Sequence, residues 1–117
     1  MHLIFDLDGT LIDSRHGIVE SLSYATSKVL NKNFNSDLLQ IGPPINIMIG
    51  EVFPDIPISK VEEIVKVFRS HYDSIGWMGF VAYPNVREIL KILKEDNILS
   101  VATNKPKKPT KKILHDM

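Results

Sequence analysis

In the stretch "IFDLDGTLIDS", residues 4–14, an apolar run ends in two aspartates, a glycine and a threonine. A carboxylate at the end of a buried strand is costly to desolvate unless something compensates it. Residues two apart on a strand point to the same side, so Asp6 and Asp8 are expected to share one cavity. Two such carboxylates repel, and a proton or a cation between them relieves the repulsion. Oxygen ligands with no cysteine and no nearby histidine favour Mg²⁺. A carboxylate can also attack phosphorus to form an aspartyl-phosphate while a second carboxyl moves protons. Gly9 allows a turn and a close approach of backbone to phosphate. The hydroxyls of Thr10 and Thr103 and the amide of Asn104 can donate to phosphate oxygens. Asp-x-Asp-Gly is also an ordinary polar turn, so the spacing by itself leaves both readings open.

These residues need elements to position them. Residues 2–7 form a short apolar run stopped by a glycine turn, the pattern of a buried strand. Ile18, Leu22, Ala25 and Val29 then recur at helical spacing, with Asp13 or Ser14 available as a cap. "NKNFNSD" ends that helix, and the proline-punctuated "IGPPINIMIGEVFPDIP" predicts short helices and tight loops. "SKVEEIVKVFRSHY" predicts another helix, its stripe running Val61, Ile64, Val65, Phe68, Tyr72, with Ser59 and Glu62 at capping-box spacing. "GWMGFVAYP" reads as a loop. A helix follows with Val86, Ile89, Leu90 and Leu93 on one face, and then a buried strand over 98–103. The tail "NKPKKPTKKILHDM" turns helical near its end. A helix leading into a strand parallel to an earlier one is an α/β crossover. Ligands of such sheets gather at the carboxyl ends of the strands, where Asp6, Asp8, Thr103 and Asn104 all fall.

Bulk properties narrow the classes. The chain has 117 residues, 44% of them hydrophobic, which suits one small folded domain. Lys+Arg and Asp+Glu are equal at 14 each, so no net charge draws the chain to nucleic acid. The five lysines of "KPKKPTKK" have no interleaved aromatic and read as a solvated helix start near a phosphate site. The absence of cysteine excludes disulfides and thiolate metal sites. No apolar run approaches the ~18 residues of a spanning helix, and "MHLIFDLD" lacks signal-peptide features. The expectation is a cytoplasmic protein that binds neither membrane nor nucleic acid, of open oligomeric state.

"FDLDGTLIDS" resembles the first motif of the haloacid dehalogenase-like superfamily, the aspartate-nucleophile phosphohydrolases, and "VATNKP" resembles the second. "YPNVREILKILK" is similar to the helix that re-enters the core, and "DSRHGIVESL" and "IGPPI" to the helical cap of the phosphoglycolate phosphatase-like branch. The resemblance implies an α/β fold: a Rossmann-like parallel sheet core from residues 1–13 and 81–117, with an inserted α-helical cap over 14–80. It implies Asp6 as nucleophile and Mg²⁺ ligand, and Asp8 as general acid/base with its carbonyl on the metal. Thr103 would bind the phosphoryl group, Asn104 would assist near the substrate, and Gly9 and Thr10 would shape the first loop. The implied activity is Mg²⁺-dependent hydrolysis of a small phosphorylated metabolite such as phosphoglycolate. Asp8 favours phosphatase or phosphomutase chemistry, because an alkoxide leaving group needs a proton. A sugar phosphomutase, or an incomplete chain that only binds, are the alternatives.

Two departures stand out. Asn85 occupies a usual glycine position, and asparagine tolerates left-handed backbone. In the family a phosphate-neutralising lysine and an acidic metal loop follow later in the chain, whereas this sequence stops at Met117. The expectation is a fragment with an exposed sheet edge, prone to seek a partner and weak in turnover by itself. Arg15, His16 and "GPPI" are candidates to face a substrate, while Trp77 and Phe80 are expected to anchor the loop between cap and core.

Overall fold

The computed structural model describes residues 1–117. Four short strands and five helices follow one another as β1 (His2–Phe5), β2 (Ile12–Asp13), α1 (Arg15–Leu30), α2 (Ile45–Val52), α3 (Ile58–Ser74), β3 (Val81–Ala82), α4 (Val86–Leu93), β4 (Ile98–Val101) and α5 (Lys107–Asp116). Single 3-10 turns lie at Ser36–Leu38 and Gly76–Met78. No helix is long and apolar enough to cross a membrane.

β1 and β4 pair in parallel with His2 opposite Ile98 and Phe5 opposite Val101. Their carboxyl ends therefore face the same way, and one further bond, Ala102 N–H to the Phe5 carbonyl at 2.9 Å, extends the ladder. Alternation sorts the side chains. Phe5 and Val101 pack inward on the cluster of Leu7, Leu11, Ile12 and Ile113, while Ile4 and Ile98 stand exposed on the other face. Both strands are shorter than the apolar runs suggest. β1 stops at Phe5 because the chain turns sharply at Leu7, whose carbonyl accepts from the amides of Thr10, Leu11 and Ile12 at 3.2, 2.9 and 3.2 Å. Gly9, at φ +82°, supplies the left-handed angle that turn requires.

Two apolar clusters divide the interior. Ile18, Leu22, Ala25, Ile64, Phe68 and Tyr72 lead the larger one, where α1 and α3 meet over α2. Leu7, Leu11, Ile12 and Ile113 form the smaller one beneath the sheet. Trp77 packs against both, and Phe80 against the second, so the aromatic pair does anchor the return from helices to sheet.

The two connections between helical lobe and sheet are held together. β2 and β3 pair antiparallel, Ile12 with Ala82 and Asp13 with Val81. Two-residue strands are too short to show alternation, which is why 76–84 reads as plain loop in the sequence. Beside them α1 is crossed by the 76–79 turn, with the Gly17 amide donating to the Gly79 carbonyl at 3.0 Å. A Cβ on Gly17 would lie 2.1 Å from the Gly76 carbonyl oxygen, so only glycine permits this approach.

Two local expectations need correction, and the choice between Asp13 and Ser14 as cap of α1 is decided for Asp13. Ser59 and Glu62 form no capping box, because α3 begins at Ile58 behind Pro57, whose extended backbone presents its carbonyl to the amides of Lys60 and Val61. Ser14 is the N-cap residue of α1 but makes no side-chain cap bond; the Asp13 carboxylate accepts from the Arg15 amide instead, at 3.1 Å. The tail helix starts at Lys107, directly after Pro106, well before the chain end. Asn85 does take left-handed backbone, at φ 67°.

Gly17→Ala should destabilise the protein by about 1–3 kcal/mol, the usual cost of overpacking. Gly50→Ala, in α2 with open space around its Cα, should stabilise it by about 0.5–1 kcal/mol. Urea titration of both variants checks the pair.

Candidate active site

The first chemical feature is a buried ammonium. Lys105 follows β4 by four residues, and its side chain is only 5% exposed. Its Nζ lies 3.0 Å from Asp8 Oδ1 and donates to the Tyr72 hydroxyl at 2.5 Å. The Ser14 hydroxyl donates to the same Asp8 oxygen, also at 2.5 Å. Asp8 is therefore gripped from the β4 loop and from the start of α1, while Lys105 is gripped in turn by a residue of α3. Burial holds the Lys105 ammonium below its ordinary pKa, partly offset by the attraction of Asp8. Burial also pushes the Tyr72 phenol well above its usual range, helped by the negative charges of Asp8 and Asp73.

A cavity of about 90 Å³ opens beside this cluster. Asp8, Asn104 and Lys105 line it from the sheet side, and Ile18, Met48, Phe68 and Tyr72 from the helical side. Residues 42–45, the "GPPI" loop, complete the wall. Arg15 does not face the cavity: its guanidinium donates to the carbonyls of Leu39 and Ser36 and ties down the segment after α1. His16 sits at the surface 3.7 Å from Glu20.

The other sequence-derived candidates follow the same strand ends, and of these only Asn104 belongs to the cavity wall. Asp6 follows β1 directly and is exposed, with Oδ1 accepting from the Leu7 amide at 2.8 Å. The expectation that Asp6 and Asp8 share a strand face does not hold, because β1 ends before either. The turn at Leu7 sends Asp8 into the cavity wall and leaves Asp6 exposed outside it. Gly9 and Thr10 shape that turn and are exposed. The Thr103 oxygen accepts from the Lys105 amide at 3.1 Å, forming the turn that aims Lys105 inward. The Asn104 amide lines the cavity and donates to the Gly42 carbonyl at 3.3 Å, so it bridges to the helical lobe.

Lys105, Tyr72 and Ser14 are the site residues that sequence reasoning missed. Lys105 was legible as the residue after "TN" at a strand's carboxyl end. The sequence reading sets it aside within a solvated helix start, because the resemblance places the family's lysine later in the chain. Tyr72 stands in an otherwise apolar stripe, and a buried tyrosine hydroxyl needs a partner.

The donors near Asp6 suit Mg²⁺ in kind. The Asp6 carboxylate and the Asp8 carbonyl are hard oxygens, and Mg²⁺ commonly takes one or two carboxylates and keeps several waters. No group of three or more acidic or histidine side chains converges anywhere in these residues.

Comparison with known proteins bears on the same geometry. The tyrosine-protein kinase PtkA of Mycobacterium tuberculosis (strain ATCC 25618 / H37Rv) is 31% identical over 116 residues, covering 96% of this chain and 38% of its own. A phosphoglycolate phosphatase from Aquifex aeolicus is 33% identical over 115 residues, covering 96% and 53%. The crystal structure of a predicted phosphatase from Clostridium acetobutylicum superposes with a TM-score of 0.85 at 29% identity, covering 98% of this chain and 54% of that one. The chain thus spans about half the length, or less, of these relatives. Residues 3–117 match the profile of the haloacid dehalogenase-like hydrolases, and the chain belongs to that family.

Proposed function

We propose that this chain carries the nucleophile and acid/base half of a phosphomonoesterase that works through an aspartyl-phosphate on Asp6. The observation that carries the reading is the placement of Asp8. It is held by Ser14 and Lys105 at the wall of a small cavity, one turn from an exposed Asp6. Residues 14–80 act as the cap, and 1–13 with 81–117 as the part of the core that faces it.

In this reading a phosphomonoester enters with its phosphoryl group toward Asp6 and its organic group in the cavity. An Asp6 carboxylate oxygen bonds to phosphorus as the bond to the leaving oxygen breaks. Asp8 first takes up the proton that a monoanionic ester brings and then gives it to that oxygen, so the group that arrived as an ester leaves as an alcohol. Asp8, now a carboxylate, takes a proton from the water that attacks the aspartyl-phosphate, releasing inorganic phosphate and restoring Asp6. Thr103 and the turn amides near Gly9 and Thr10 are donors for phosphoryl oxygens. The Asp6 carboxylate and the Asp8 carbonyl would hold Mg²⁺, which would supply charge neutralisation when bound.

The cavity is small, with mostly apolar walls apart from Asp8, Asn104, Lys105 and the Arg69–Asp73 stretch. It favours a leaving group of few atoms over a bulky polyhydroxylated one, whose hydroxyls would be buried unpaired. Phosphoglycolate fits that description, and the Aquifex relative's name supports it. Cytoplasmic location accords with the cysteine-free composition. A second reading, phosphoryl transfer to an acceptor other than water, is favoured by the likeness to PtkA over nearly the whole chain. Turnover in ¹⁸O-water separates the two, because only hydrolysis puts solvent oxygen into released phosphate.

Assayed with an aryl phosphate and Mg²⁺, the protein carrying Asp6→Asn should lose turnover to below detection, since the variant keeps the shape and removes the nucleophile. Asp8→Asn should slow turnover by about 10²–10⁴-fold, the range of general acid–base catalysis. Normal turnover in Asp6→Asn excludes the mechanism. Chelation with EDTA should abolish activity, and added Mg²⁺ should restore it; activity indifferent to chelator removes the metal from the scheme.

A further inference from the structure

The segment after β4 reaches across to the helical lobe by three polar contacts. The Asn104 amide donates to the Gly42 carbonyl at 3.3 Å. Lys105 Nζ donates to the Tyr72 hydroxyl at 2.5 Å, and Lys112 Nζ to the Asp73 carbonyl at the same distance. Only the middle one continues into a chemical group. Lys105 is also 3.0 Å from Asp8, so helix α3 is tied to that carboxylate through one ammonium.

From this we infer that Tyr72 is a positioning residue: its hydroxyl holds the Lys105 ammonium against Asp8, so the docking of α3 on the sheet and the placement of the acid/base carboxylate are one event. Lys105 has four flexible carbon–carbon links and would sample many rotamers if it were held at one point only. Two acceptors on different elements leave it one position. The Tyr72 ring reinforces the geometry, since the ammonium stands 4.6 Å from its centroid. The ring is itself fixed by stacking on Phe68 at 5.4 Å and by burial to 3% exposure. The chain of support thus runs from the α1–α3 core through Tyr72 and Lys105 to Asp8. Ser14 restrains the same carboxylate oxygen from the opposite side, at the junction of β2 and α1. Lys112, which packs 5.8 Å over Trp77 and reaches no acid, grips the lobe without entering the cluster.

The catalytic part of this inference rests on the role proposed for Asp8, and the structural part does not. Two measurements separate them. Amide hydrogen exchange in residues 12–14, 79–82 and 103–106 is compared among wild type, Tyr72→Phe, Lys105→Met and the double variant. Each single change should speed exchange by about two- to tenfold, the span of one net hydrogen bond. The double variant should exchange no faster than the faster single one, because both changes cut the same link. Tyr72→Phe keeps the ring and its packing, so it tests the hydroxyl without risking the fold. In the aryl phosphate assay with Mg²⁺, Tyr72→Phe should lower kcat by about the same two- to tenfold factor with KM little changed, and should cost nothing further in an Asp8→Asn background. Lys112→Met should move KM and leave kcat. Unchanged exchange in Tyr72→Phe, or additive effects in the double variant, overturns the latch whether or not the protein turns over the ester. A Tyr72→Phe loss that persists undiminished in Asp8→Asn overturns the positioning of Asp8 through it.

Discussion

A buried ammonium has to find acceptors, and the arrangement of this molecule around Lys105 follows from that need. Removing an amine of this size from water costs several kcal/mol even after relaxation. Attraction to one carboxylate repays that cost only with good geometry and further hydrogen bonds. Asp8 and Tyr72 provide them, from the loop after β1 and from α3. Each partner is positioned by something else. Asp8 is delivered by the turn at Leu7, Tyr72 by its place in the α1–α3 core, and Lys105 by the Thr103 oxygen that accepts its amide. Three separate elements therefore converge because one charge requires them to.

The same requirement explains why the glycines at the lobe's base matter. Tyr72 can meet Lys105 only if α3 ends close to the sheet, and the turn after it must then pass directly over α1. Gly17, Gly76 and Gly79 make that crossing possible at backbone-to-backbone distance, and Ser21 closes over it from α1. The β2–β3 ribbon then brings the chain back beside its point of departure. The helical lobe is thus joined to the sheet at this crossing and again through the Tyr72–Lys105–Asp8 link.

Much of this was legible in the sequence where a pattern repeats. The stripes of Ile18, Leu22 and Ala25 and of Ile64, Phe68 and Tyr72 predict the two helices that form the larger core. The parallel pairing of the first and last apolar runs follows from the α/β order. Patterns that depend on one or two residues failed. The capping box at Ser59 lost to the proline entry at Pro57, and β2 and β3 were too short to alternate. The site divided in the same way. Asp8 and Asn104 were placed at the cavity by motif and strand end, but the assumption of a continuous strand put Asp6 in it too. Three carbonyl-directed amides at Leu7 are a property of chain folding that residue types do not announce. Lys105 and Tyr72 are separated by 33 positions, with β3, α4 and β4 between them, so only the folded chain could show that they meet.

Likeness to both a phosphatase and a tyrosine kinase becomes intelligible at the level of these contacts. Attack on phosphorus by a carboxylate does not depend on where the phosphoryl group goes next. In the proposed mechanism that outcome depends on which acceptor meets the phosphorylated carboxylate, water or another hydroxyl. The cavity beside Asp8 is walled by residues 42–45 and by the α3 face carrying Phe68 and Tyr72. The wall is apolar and close, which disfavours a large acceptor and leaves room for a small one. Asp8 lines the same cavity, and in the proposed mechanism one carboxyl serves the leaving oxygen and then the entering one. Its charge is matched by Lys105 before any ligand arrives. A site already neutral at its acid/base position can admit a phosphate dianion without also having to bury a second uncompensated carboxylate. The net repulsion that remains falls at Asp6, the exposed position, where solvent and a cation can reach it most cheaply.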